Sequence, residues 1–179
     1  FYELARRRLK EGGSFAQILP LHDLSAEETA SVMRTFSSVF ARCLLWRNGA
    51  DCVMVGCDQD FRLNLRAIGE RFYRPDVQRT LRECAPLLAR FYVLENFMSG
   101  LLLNDADFRK AAATGNIYTD DSAGLRYTTG RDVTAESIRL VHSHLTPWPE
   151  LRKLFDRFAD FDKKEAELTR QREYYTALL

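Results

Sequence analysis

The spacing of apolar residues along the first third of the chain alternates between helix-like and strand-like segments. Residues 1–10 have helical spacing and end at a glycine pair. Residues 14–19 form a short apolar run between that pair and a proline, which predicts a buried strand. Ser25 and Glu28 form a capping box ahead of apolar positions on one helical face. The pattern therefore predicts a helix, a strand and a second, well-capped helix.

Two further strand-like runs, 41–47 and 51–57, are joined around an Asn-Gly pair at 48–49. This pair tolerates the positive φ angles of a tight hairpin turn. A strand, a crossover helix, a strand and a hairpin return are typical of the closing edge of a largely parallel α/β sheet whose last strand is antiparallel. An exposed strand at 14–19 would be a liability, so we predict that it pairs with a missing strand, a second copy or a rearranged sheet.

After residue 57 the pattern becomes helical, which predicts a domain boundary there. We expect residues 1–57 to be the end of a sheet domain and residues 58–179 to be a mainly helical module. The predicted helices are 64–73, 76–84, 86–98, 105–113 and 134–144, with a short strand at 125–129. A final helix carries an apolar stripe, the C-terminal stripe, of Leu151, Leu154, Phe155, Phe158 and Phe161.

Composition narrows the function classes. The chain has 26 basic and 25 acidic residues, so its net charge does not favour nucleic acid or an anionic membrane as a partner. No apolar run approaches the roughly 18 to 20 residues of a membrane span, and no signal pattern opens the chain. We expect a cytoplasmic protein with no span in this chain. No capping residue precedes Phe1, which indicates a piece of a longer polypeptide.

Candidate chemistry is sparse, and we predict no catalytic residue, no metal ligand and no cofactor-binding residue in this chain. The only glycine pair precedes a strand rather than a helix, the reverse of a phosphate cradle. His22 beside Asp23 follows the first strand, where a functional loop would lie, but no nucleophile of recognisable context accompanies it. His142 and His144 would point about 200° apart on a helix, which disfavours a shared ion.

The remaining polar clusters have ordinary structural interpretations. Asp120-Asp121 offers two adjacent carboxylates for a cation or an amine, but a turn in which these side chains bind nearby amides explains them better. Asp58 and Asp60 form a weak metal-like pair that is also common in loops. The four cysteines, Cys43, Cys52, Cys57 and Cys84, show no C-x-x-C spacing, and we predict that they are reduced and structural.

Three stretches carry a family resemblance. Residues 1–21 (FYELARRRLKEGGSFAQILPL) resemble the segment entering the fifth strand of the spermidine synthase-like aminopropyltransferases. The segment 46–56, which begins WRNG, resembles that family's terminal hairpin. Residues 116–127, with NIYTDD and LRY, resemble a stretch found in its long, often membrane-fused bacterial members. The resemblance thus covers the chain discontinuously to about Tyr127 and leaves the helical tail unmatched.

The resemblance implies a class I methyltransferase-like sheet in an intact parent, which would pass an aminopropyl group from decarboxylated S-adenosylmethionine to an amine. The family's glycine-rich loop, ribose-binding acidic residue and amine-activating aspartate would all lie upstream of Phe1, so the N-terminal half of the parent is the expected partner. Two substrate-binding residues carry over. Gln17 matches a strand-end glutamine of the amine pocket, and Trp46 stands where several members have a pocket tyrosine.

Both residues also have structural alternatives. Gln17 could be a buried amide bonded to neighbouring backbone, and Trp46 could pack in the core. The departure from tyrosine at Trp46 puts the polyamine substrate in doubt. A second hypothesis is a non-catalytic scaffold module that docks a partner or forms a homodimer through its helices, with the C-terminal stripe as the surface.

Overall fold

A computed structural model describes residues 1–48, 51–84, 93–119, 131–156, 166 and 169–173. The helices are α1 (Tyr2–Arg8), α2 (Ala26–Val39), α3 (Leu65–Phe72), α4 (Pro75–Cys84), α5 (Leu94–Ser99), α6 (Asp105–Ala111), α7 (Arg131–Ser143) and α8 (Trp148–Leu151). The strands are β1 (Phe15–Leu19), β2 (Arg42–Asn48), β3 (Asp51–Cys57) and β4 (Leu101–Leu103). The chain is therefore a mixed α/β protein.

The chain divides into two units that interleave along the sequence. The first unit consists of Phe1–Phe61 and Leu101–Thr146, and the second of Arg62–Gly100 and Pro147–Leu179. The sequence predicted a sheet domain at 1–57 followed by one helical module. The observed first unit instead takes in a later segment, which supplies β4, α6 and α7.

The first unit is built on a four-stranded sheet with the order β1-β3-β2-β4. β3 pairs antiparallel with β1 from Phe15↔Gly56 to Leu19↔Cys52. It also pairs antiparallel with β2, whose Asn48 faces Asp51, so the predicted hairpin is confirmed. The turn residues 49–50 lie outside the described residues.

The prediction of a mostly parallel sheet is wrong for this chain. All three strand pairings in the described residues are antiparallel. The physical reason is the position of β3, which inserts between β1 and β2. Because both neighbours run opposite to β3, β1 and β2 run in the same direction, but they are not hydrogen-bonded to each other.

The predicted capping box of α2 is confirmed. The Ser25 hydroxyl accepts a hydrogen bond from the Glu28 amide at 3.2 Å, and the Glu28 carboxylate accepts one from the Ser25 amide at 2.9 Å. The capped helix lays Met33 and Phe36, both fully buried, towards the core. Phe36 lies 4.6 Å from the Phe40 ring, centroid to centroid.

One strand residue must be small for these rings to fit. A Cβ atom at Gly56 would lie 2.5 Å from the Phe40 ring and 2.7 Å from the Phe36 ring. Phe15, in register with Gly56, stacks on Phe40 with a centroid separation of 5.7 Å. Tyr2 of α1 completes the aromatic cluster against Phe36 at 5.2 Å. The end of the β1–β3 pair at Phe15 and Gly56 is thus covered on one face by aromatic packing.

The two edges of the sheet differ. β4, which the sequence pattern left unassigned, is buried along its whole length. Its outer side is occupied, because Leu102 accepts a backbone hydrogen bond from Thr146 at 3.1 Å. β1 forms the other edge of the described sheet, and its Ile18 side chain is 55% exposed. The predicted strand is therefore not isolated, because it pairs with β3 on one side, while no strand pairs with its other side in the described sheet.

In the described residues, the second unit contains the four short helices α3, α4, α5 and α8. Asn64 caps α3 by accepting from the Ala67 amide at 2.9 Å. α3 meets α5 where the Phe72 and Phe97 rings lie 5.5 Å apart, and the Tyr73 hydroxyl accepts from the Leu94 amide at 3.2 Å. The predicted helices at 64–73 and 76–84 correspond to α3 and α4.

The predicted final helix is wrong in the described part of the C-terminal stripe. α8 ends at Leu151, a 3-10 turn follows at Arg152–Leu154, and Phe155 is extended. Phe155 forms a parallel bridge with Leu63, supported by a hydrogen bond from the Leu63 amide to the Leu154 carbonyl at 2.7 Å. Pairing with a distant strand-like residue therefore overrides local helical spacing. Phe158, Phe161 and the predicted strand at 125–129 lie outside the described residues.

Candidate functional site

Polar side chains gather where β1 ends and β3 begins. Leu19, the last residue of β1, is in register with Cys52, so the loop after β1 lies beside the first residue of β3. His22 of that loop places Nδ1 2.7 Å from an oxygen of Asp51, while its Nε2 lies 3.3 Å from the Asp23 carboxylate. We call His22, Asp23 and Asp51 the histidine cluster. It brings three titratable side chains together at this end of the sheet.

The cluster favours a charged imidazole. The hydrogen bond and the charge of Asp51 raise the pKa of His22 above its usual value, and the charge of Asp23 adds to the effect. A histidine acting as general base needs an unprotonated nitrogen that faces its substrate. Here a carboxylate faces each ring nitrogen, so the arrangement suits a cation held in place rather than a base.

Gln17 lies in the middle of β1, in register with Met54 of β3. Its side-chain Nε2 donates to the carbonyl of its neighbour Ile18 at 3.1 Å, and the side chain is partly exposed. The structure thus gives Gln17 a bond to neighbouring backbone, as the structural alternative requires, but without full burial. Its amide oxygen remains an acceptor on the sheet edge.

Trp46 lies on the other face of the sheet. It is in register with Val53, whereas Gln17 is in register with Met54, and successive residues of β3 point to opposite faces. The sheet therefore separates the two predicted substrate-binding side chains, and no pocket on a single face contains both. A role in substrate binding stays a prediction for each of them.

Asp58 and Asp60, the weak metal-like pair of the sequence analysis, each form an ion pair with an arginine. Asp58 accepts from Nε of Arg6 at 2.9 Å, and Asp60 accepts from Nε of Arg42 at 2.5 Å. Each carboxylate has its own arginine, which leaves this pair poorly suited to a metal ion. Asp120 and Asp121 lie outside the described residues.

No metal centre forms in the described ranges, where three or more His, Cys, Asp or Glu side chains do not converge. His142 and His144 belong to the end of α7 and the turn after it, and the His144 Nδ1 is 2.9 Å from the Leu140 carbonyl. Burial raises the pKa of the Cys43 and Cys52 thiols to about 12. Together with the buried Cys57, they are free thiols, whereas the side chain of Cys84 lies outside the described residues.

The sequence analysis did not predict Asp51 as the partner of His22, although it placed His22 after the first strand and residue 51 at the start of the hairpin's return strand. The signal was the hairpin: Asp51 opens the return strand, so it lies at the same end of the sheet as the turn. What the pattern did not reveal is that the return strand inserts next to β1. Only that strand order brings Asp51 to His22, 29 positions away.

No helix in the described segments is long and apolar enough to cross a membrane. Comparison of the chain with protein-family models, with curated proteins and with solved structures finds no match.

Proposed function

We propose that this chain is the C-terminal portion of a spermidine synthase-like transferase, which in its intact form transfers an aminopropyl group from decarboxylated S-adenosylmethionine to an amine. The observation that carries the proposal is the strand arrangement of the first unit. β1 and β2 run in the same direction and are connected through α2, and an antiparallel β3 lies between them. The end of a methyltransferase-like sheet with an antiparallel last strand would have this arrangement.

The open edge at β1 supports the same proposal. Strands that are buried on both faces are apolar on both, as in parallel sheets covered by helices. β1 places Phe15, Gln17 and Leu19 on the α2 face and Ala16 and Ile18 on the other, so Gln17 is its only polar residue. The strand contains no charged residue or proline, the devices that usually protect an edge. In the parent, the preceding strand of the sheet would pair there.

Gln17 is the residue of this chain best placed to serve the amine. Aminopropyl transfer forms a C–N bond as the amine lone pair attacks the methylene beside the sulfonium, the C–S bond breaks, the thioether leaves, and a base takes the amine proton. Beyond the bond from Nε2 to Ile18, the Gln17 amide has an oxygen that can accept from an amine N–H. Gln17 would orient the acceptor, and the base would belong to the upstream half.

The scaffold hypothesis was motivated by the C-terminal stripe as a docking surface, and the described residues of the stripe do not form such a surface. Leu151 is buried, and Phe155 packs 5.9 Å from the Trp148 ring, so these members of the C-terminal stripe belong to the core of the second unit. We therefore carry forward the transferase proposal alone.

The test is calorimetric titration with decarboxylated S-adenosylmethionine and with methylthioadenosine. We compare this chain with a longer polypeptide that carries the segment upstream of Phe1. We expect binding by the longer polypeptide alone, since the cofactor loop would be upstream. Binding by neither polypeptide would contradict the proposal.

A variant pair tests the role of Gln17 in the longer polypeptide. Gln17→Met keeps the side-chain length and removes the amide, and we expect putrescine to bind about tenfold more weakly, the loss of one hydrogen bond of about 1.4 kcal/mol. Ser38→Ala, which removes an exposed hydroxyl bonded within α2, is the matched control and should leave putrescine affinity unchanged. Equal affinities in the two variants would remove Gln17 from the acceptor site.

A further inference from the structure

The histidine cluster joins two parts of the chain that are distant in sequence. The loop between β1 and α2 begins with a turn in which the Asp23 amide donates to the Pro20 carbonyl at 3.2 Å. His22 projects from this turn and reaches Asp51 at the start of β3. The loop is thereby tied to the hairpin end of the sheet through a side chain that is about half exposed.

The tie depends on the protonation state of the ring. Only the imidazolium form has an N–H at both nitrogens, so only this form can donate to Asp51 and at the same time form an ion pair with Asp23, 3.3 Å from Nε2. The neutral ring has one bare lone pair, and in this geometry that lone pair would face a carboxylate. Deprotonation therefore removes one of the two attractive contacts and replaces it with a repulsive one.

The two carboxylates that contact the ring favour this dependence, and the neighbouring elements contribute charges of both signs. Asp51 comes from β3 and Asp23 from the loop itself, and both hold the imidazolium form. β2 contributes Arg47 at the neighbouring register position, where it faces Cys52 and acts on that thiol. The first turn of α2 contributes Glu27 and Glu28, and the Glu28 carboxylate is engaged by Ser25.

We propose that His22 is a pH-dependent positioning residue, which as imidazolium bridges Asp51 and Asp23, holds loop 20–24 against the start of β3, and releases the loop when the ring loses its proton. The contact is a latch rather than part of the reaction. Its consequence for access to the amine site rests on the proposed function, because the loop directly follows the strand of Gln17. The latch itself needs no ligand.

The sign of the pH effect follows from linkage. A histidine whose pKa is raised in the folded state contributes stability that is fully present below its unfolded pKa of about 6.5 and is lost as the pH rises through the folded pKa. The latch is therefore closed in mildly acidic solution and opens on the alkaline side of the His22 titration.

Nuclear magnetic resonance of the chain without ligand tests the latch. The chain has three histidines, so His142 and His144 serve as internal references for His22. We expect His22 to titrate above about 6.5, and the amide signals of residues 21–24 and of Asp51 to shift with the same midpoint. We also expect the amide protection factors of the loop, corrected for the intrinsic pH dependence of exchange, to fall severalfold above that midpoint.

Three variants make the result decisive. Asp51→Asn should lower the His22 pKa and remove the pH dependence of loop protection. His22→Gln should give at acidic pH the loop protection that the wild-type chain has at alkaline pH. His142→Gln, the matched control, should change neither. The proposal would be overturned if His22 titrated at or below about 6.5, or if the amide signals of the loop did not change as His22 titrates. Because no ligand is present, this outcome is independent of the binding tests above.

Discussion

The two edges of the four-stranded sheet are built in opposite ways. β4 is three residues long, fully buried, and covered on its outer side by Thr146. β1 is five residues long, carries the half-exposed Ile18 and lacks the charged residues or proline that protect an edge. The two edges therefore differ in how far the described residues cover them, and under the proposed function the preceding strand of the parent would pair beside β1.

The largest expected effect comes from removing the same kind of side chain at each edge. Leu102→Ala should destabilise the chain by about 3 kcal/mol, because the side chain is buried and its loss leaves a cavity. Ile18→Ala should cost about 0.5 kcal/mol, the range of surface substitutions. Urea unfolding with both variants measures the difference. Similar losses at the two edges would show that β1 is covered in solution.

Thr146 provides a smaller and more specific test of the closed edge. Its hydroxyl accepts from the Asn104 amide at 2.9 Å and also hydrogen-bonds Asp107. Thr146→Val keeps the shape but leaves the partly buried Asn104 N–H without its acceptor, so we expect a loss of about 2 kcal/mol. Thr80→Val on the exposed surface of α4, where the hydroxyl bonds only within the helix, is the control and should cost far less. Matching midpoints for the two variants in urea would contradict a closed β4 edge.

Some features of this fold can be predicted from the sequence pattern, and others cannot. Signals confined to a few residues were sufficient for the capping box of Ser25 and Glu28, and for the hairpin around residues 48–49. In each case the interacting groups are close in sequence, so propensity and side-chain chemistry specify the local structure.

Long-range pairing accounts for the errors. No local sequence signal in residues 51–57 indicates that β3 inserts beside β1. That pairing makes this part of the sheet antiparallel and brings Asp51 to His22. β4 is a run of three leucines, too short for a period to distinguish strand from helix. Phe155 has helical spacing with Leu151, yet its bridge to Leu63 makes it extended. Such partners become visible only in the folded chain.

The smallest predicted effect concerns fraying of the open edge, and the buried cysteines report it. Cys52 is in register with Leu19 of β1, whereas the Cys43 amide is bonded to Asp105 at 2.9 Å on the other side of the sheet. Burial raises the pKa of both thiols to about 12, so each reacts only when the structure opens and the thiolate can form.

Opening should therefore be easier beside β1 than beside α6. We expect iodoacetamide at pH 8 to label Cys52 about fivefold faster than Cys43, a difference of about 1 kcal/mol in local opening free energy. Mass spectrometry of the labelled peptides measures both rates in one sample. Thr146→Val should then accelerate Cys43 more than Cys52, since it loosens β4, the neighbour of β2. Faster labelling of Cys43 in the wild-type chain would reverse the assignment of the weak edge, and with it the direction in which the sheet is expected to extend.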